Sequence, residues 1–192
     1  MKNIIFLLLI STIFYGCKKE SMQSGGMGAG SNIPYLKQNH SNYKDYGANF
    51  SPKPKKLDNQ LRINWTIEAQ SQNDANKLRE HIEFMVDRLK RGYTPRGWDK
   101  LFLMEAYMKQ NHYYTTNVEQ NGKIVVVSKV AKNRCAYSVI SAHADAVGND
   151  FFARGVINKD YSSIAENILN STQCSSLKSD IEDFISKHKM MK

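Results

Sequence analysis

The pair Asn121-Gly122 sits between two segments of strand-forming residues, 112–120 and 123–131, and it limits the possible folds more than any other feature of the chain. A two-residue type I′ turn needs positive φ at both central positions, which Asn and Gly adopt most readily. The spacing therefore predicts a hairpin, and with it an antiparallel sheet. Ile124, Val125, Val126 and Val127 are apolar on both faces, which suits a strand covered on two sides or paired centrally. Residues 61–68 add one further strand, because Leu61, Ile63, Trp65 and Ile67 alternate with polar neighbours.

Around this sheet the sequence places helices. Asn73 or Asp74 can cap a helix whose Ala75, Leu78, Ile82, Met85, Val86 and Leu89 share one face, and which ends at Gly92. After the turn Thr94-Pro95-Arg96-Gly97, residues 98–110 read as a shorter, largely apolar helix. Asn133 opens a helix to about residue 147, and 160–170 and 175–188 form two more. Residues 61–192 thus read as a single α+β domain: a small antiparallel sheet, one strand plus the hairpin, packed with four to five helices.

The amino terminus carries a different signal. Lys2 supplies a positive charge, residues 4–15 are apolar over a length too short to span a bilayer as a helix, and Gly16 precedes Cys17. The run Phe14-Tyr15-Gly16-Cys17 resembles the lipobox of bacterial lipoproteins, with Phe14 where an aliphatic residue is commoner. That resemblance implies a signal peptide over 1–16, a diacylglycerol thioether on Cys17, and acylation of the new amino terminus by palmitate or a similar chain. It also implies a membrane lipid as partner. Lys18 in place of Asp leans toward the outer membrane, with the domain facing the periplasm or the surface.

Three cysteines in an exported protein would leave one odd thiol, and lipidation of Cys17 removes it. Cys135 and Cys174 remain as the intramolecular pair. Closing that loop stabilises the fold by roughly 4 kcal/mol on the chain-entropy model. No zinc-type Cys/His spacing occurs, so no metal and no cofactor is expected.

Residues 18–60 are rich in Gly, Ser, Asn, Lys and Pro without apolar periodicity, and read as a flexible basic tether behind Cys17. Ile33, Tyr35, Leu36, Tyr43, Tyr46 and Phe50 are many apolar groups for an inert spacer, and suggest that part of it docks. The formal charge is +9, of which the tether contributes seven Lys/Arg against three Asp/Glu. An exported chain does not meet nucleic acid routinely, so an envelope protein or a cell-wall polymer is the expected partner and nucleic acid is not.

Candidate chemistry centres on the helix after the hairpin. His143 falls among Cys135, Ala136, Val139, Ile140 and Val147 at 100° per residue, and is expected inside. Asp145 lies about 200° away, so the two are not an acid/base pair. Glu105, expected to project between Trp98, Leu101, Phe102 and Met108, would shift the pKa of His143 if the two helices meet. With Ser141 these form the weak catalytic candidates, and His112 is a further residue to follow. No GxSxG, HExxH, Walker or GxGxxG motif occurs.

Surface features point instead to binding. Phe84 projects away from its helix's apolar stripe, and Arg88, Lys90, Arg91 and Arg96 crowd the end of that helix and the turn beyond it. An aromatic anchor beside cations has the composition of a protein interface. The first functional reading is a membrane-anchored envelope lipoprotein with a noncatalytic binding or assembly domain. The alternatives are a cell-wall or ester hydrolase using the buried histidine, and a periplasmic inhibitor or immunity protein.

Overall fold

The computed structural model describes residues 54–94, 96–152 and 159–189. The segment expected to be a signal peptide, Cys17, and the part of the expected tether up to residue 53 lie outside the described residues. Four antiparallel strands form one sheet in the order β1-β2-β4-β3: β1 (Lys55–Leu57), β2 (Arg62–Glu68), β3 (Tyr114–Asn121) and β4 (Ile124–Ala131). Five α-helices pack with it: α1 (Gln72–Lys90), α2 (Lys100–Gln110), α3 (Arg134–Asp145), α4 (Ser162–Leu169) and α5 (Lys178–Lys189). The molecule is a single α+β domain.

The sheet starts earlier than the sequence suggests. Lys55 and Lys56, read as the end of the tether, pair with Asn64 and Ile63 as an edge strand. The hairpin forms, but one residue along from the expected turn. Asn121 pairs with Ile124, so Gly122 and Lys123 are the central residues. Gly122 has φ +58°, and neither Asn121 nor Lys123 has positive φ, the pattern of a II′ turn rather than I′. β4 is the central strand its composition demanded, with β2 on one side and β3 on the other.

Register places Ile63, Trp65 and Ile67 of β2 on the same face as Val125, Val127, Lys129 and Ala131 of β4, and as Tyr114, Thr116 and Val118 of β3. That face meets the helices. α2 is the central helix, buried at every position from Leu101 to Lys109, which explains its lack of an amphipathic stripe.

Caps set two helix starts differently from expectation. Ser71, not Asn73 or Asp74, caps α1, its Oγ accepting from the Asp74 N–H at 3.1 Å. Asp99 caps α2 by accepting from the Leu101 N–H at 2.9 Å, which leaves Trp98 outside the helix and 40 % exposed. Beyond Asp145 the chain continues as a π-helical turn over Ala146–Phe152. Cys135, in the first turn of α3, and Cys174, in the 3-10 turn before α5, form a buried disulfide with a Cα–Cα distance of 4.8 Å.

Candidate functional site

Lys129 sits on the inner face of β4 because residues of the same parity, Val125, Val127 and Ala131, point inward. The face that buries those residues forces an ammonium beneath α2. There Glu105, with no exposed surface, faces it: Lys129 Nζ lies 2.6 Å from Glu105 Oε1, and the Tyr114 hydroxyl donates to the same oxygen at 3.1 Å. The other carboxylate oxygen, Oε2, is 2.8 Å from His143 Nε2. The structure therefore brings together the two residues that the sequence located on separate helices.

The charges follow from this geometry. Burial alone would raise the Glu105 carboxyl, but His143 and Lys129 outweigh it and hold the group well below the ordinary carboxylate range. Burial pushes the His143 imidazole the other way, toward its neutral form, against the pull of Glu105. The edge of His143 packs on Phe102 with ring centroids 4.7 Å apart, and its Nδ1 is buried with no hydrogen-bond partner among the described residues.

Lys109, one helical turn beyond Glu105, completes the group. It is 5 % exposed, donates to Thr116 Oγ1 at 2.9 Å and lies 4.6 Å from the centre of the Tyr114 ring. Burial, and after it the like charge of Lys129, push the Lys109 amine down to about 8.

The other sequence candidates are placed elsewhere. Ser141 is half-buried on α3, and two residues along a helix from His143 it faces a different direction, so it is no nucleophile for that imidazole. Asp145 pairs with Lys56 of β1 at 2.5 Å. His112, with φ +59°, is the left-handed residue that ends α2, its N–H bonded to the Lys109 carbonyl at 3.1 Å.

The expected basic group is not one surface. Arg96 turns inward, because the buried Asp99 carboxylate needs a counter-charge. Its Nη2 is 3.2 Å from Asp99 Oδ2 and donates to the Lys159 carbonyl, and its guanidinium lies over Trp98, Phe102 and Tyr161 at 4.6, 4.4 and 5.3 Å. Arg96 is thus part of the packing between α2 and the segment leading into α4. Arg91 pairs with Asp87 at 2.7 Å, Arg88 is half-buried with its guanidinium 5.7 Å from the Phe84 ring centre, and Lys90 is exposed. Phe84 is 36 % exposed.

Lys129, Tyr114, Lys109 and the Arg96–Asp99 pair are functional-site residues that no motif in the sequence marks. The inward parity of β4 was the signal for Lys129, and the i, i+4 relation to Glu105 was the signal for Lys109. A third buried carboxylate, Asp150, accepts from the Tyr161 hydroxyl at 2.5 Å and from Lys159 Nζ at 2.9 Å.

Among the described residues no group of three or more His, Cys, Asp or Glu is placed to hold a metal ion, and no helix is long and apolar enough to cross a membrane. Compared with protein families, with curated proteins and with solved structures, the chain matches none.

Proposed function

We propose that the chain is a lipid-anchored protein of a bacterial cell envelope, on the outer membrane, whose domain binds an envelope protein or wall polymer without catalysing a reaction. The observation that carries this reading is the Cys135–Cys174 disulfide. It uses both cysteines of the domain and leaves Cys17, at the end of the export signal, as the one remaining thiol. The noncatalytic part is supported by Glu105: its carboxylate has no exposed surface and is engaged by Lys129, Tyr114 and His143. Phe84, with the Arg88 guanidinium 5.7 Å from its ring centre and the exposed Lys90 and Arg91 at the end of the same helix, is the binding surface this reading favours. An inhibitor or immunity role would use the same surface.

The test is retention of the envelope partner after cross-linking in cells, for Phe84→Ala and for Lys90→Glu with Arg91→Glu, alongside thermal melting of each variant. Both should lose the partner and melt as the parent does. Unchanged retention, with loss on His143→Gln in a folded protein, would contradict the reading.

One observation favours the hydrolase. A carboxylate holding Nε2 of an imidazole whose Nδ1 has no partner among the described residues is the arrangement of an oriented general base. Turnover of wall fragments or simple esters, lost in His143→Gln without a change in melting, would establish it.

A further inference from the structure

Among the described residues, the sheet is covered on one face. Ile63, Trp65, Ile67, Val125 and Val127 are buried beneath the helices, whereas Thr66, Glu68, Thr115, Asn117, Glu119 and Ile124, of the opposite parity, are exposed. Four aliphatic residues lie on that outer face: Ile124 is 40 % exposed, and Leu57, Val126 and Val130 are half-buried. Glu68 pairs across from Ile124 and Glu119 across from Val126, so two carboxylates flank the hairpin end of the apolar strip.

We propose that this face seats the chain's own residues 43–50, with Tyr43, Tyr46 and Phe50 packed along Ile124, Val126 and Val130. Connectivity favours this occupant. The chain enters the domain at Pro54, beside the edge strand β1, and β1 is two strands from β4, roughly 10 Å across the sheet. Phe50 is four residues from Pro54 and reaches up to roughly 14 Å, and Tyr43, eleven residues away, up to roughly 38 Å. The strip from Val130 to Ile124 is roughly 20 Å long, so the whole of it is within range.

Size favours the same occupant. A stable interface between separate molecules buries about 800 Å² on each partner, more than four aliphatic side chains on an otherwise polar face provide. A tethered segment needs less, because its effective concentration is in the millimolar range for a short linker. The consequence is a shorter spacer, running from Cys17 to about residue 42. The proposal rests on connectivity and not on the lipid anchor.

Hydrogen exchange of the mature full-length chain, read by mass spectrometry, tests it. Amides of residues 43–50 should exchange at least tenfold more slowly than an unstructured peptide, and Tyr46→Ser with Phe50→Ser should abolish that protection while the domain melts unchanged. Ile124→Lys with Val126→Lys should abolish it as well. Exchange at the unprotected rate in the parent would overturn the proposal, as would protection insensitive to the Ile124 and Val126 changes, or protection that rises with protein concentration alongside dimer formation. Intact mass of the same sample reads acylation of Cys17 separately, so either idea can fail without the other.

Discussion

Lys129 Nζ lies 2.6 Å from Glu105 Oε1, and this contact joins the central strand of the sheet to the most buried helix of the domain. Placing both charges inside is costly, and their attraction offsets that cost only while both remain. Lys129→Met should therefore destabilise the domain by about 3–5 kcal/mol, because it strands a buried carboxylate. Combining it with Glu105→Leu should recover most of the loss. Urea denaturation of the two single variants and the double variant measures the coupling; additive losses would contradict it.

A second expectation concerns acid. Glu105 titrates below its ordinary range in the fold and near 4.3 in the unfolded chain, so the unfolded state takes up protons first and stability falls as the pH drops below about 4.3. His143, held neutral by burial, adds a loss that begins near its unfolded value of about 6.5. Stability curves of the parent and of His143→Gln should diverge between neutral pH and pH 5, with the parent showing the steeper fall.

The same sign applies to Lys109, in a more alkaline range. Its amine is pushed down to about 8, below the roughly 10.4 of an unfolded lysine, so between these values the unfolded state binds the extra proton. The parent should gain stability relative to Lys109→Met as the pH rises from 8 to 10, by at most about 1.4 kcal/mol per pH unit. Urea midpoints at three pH values check this, and a constant difference would contradict it.

Removing the Cys135–Cys174 bond by Cys135→Ser with Cys174→Ser should cost about 2–4 kcal/mol, since the pair closes a loop with a sequence separation of 39. Calorimetry of the parent and the variant checks this. Thiol titration of the parent under denaturing, nonreducing conditions should find neither cysteine free.

The parts of this fold that depend on local periodicity were legible, and those that depend on which element faces which were not. Alternation in 61–68 and the Asn-Gly region gave the strands, and 3.6-residue spacing gave the helices. A three-residue edge strand such as β1 carries too few side chains to show a period, and exists because β2 offers it a partner. The cap of α1 was displaced by a competing residue, since Ser71 is as able to accept an N–H as Asn73 or Asp74, and the Asp99 cap starts α2 two residues beyond Trp98. Glu105 and His143 could each be placed inside by projection, but their 2.8 Å approach is a property of helix packing that no single wheel contains. Arg96 was misplaced for a related reason: a cation in a turn reads as surface until a buried carboxylate, Asp99, is found to need it.

Anchoring depends on the fate of Cys17, and intact mass of the protein purified from its membrane measures that fate. Cleavage after Gly16, a mass increase matching a diacylglycerol and an amide-linked fatty chain on Cys17, and two hydrogens missing from the remainder for the Cys135–Cys174 bond are the expected result. A mature chain with an unmodified Cys17, or one retaining residues 1–16, would contradict it.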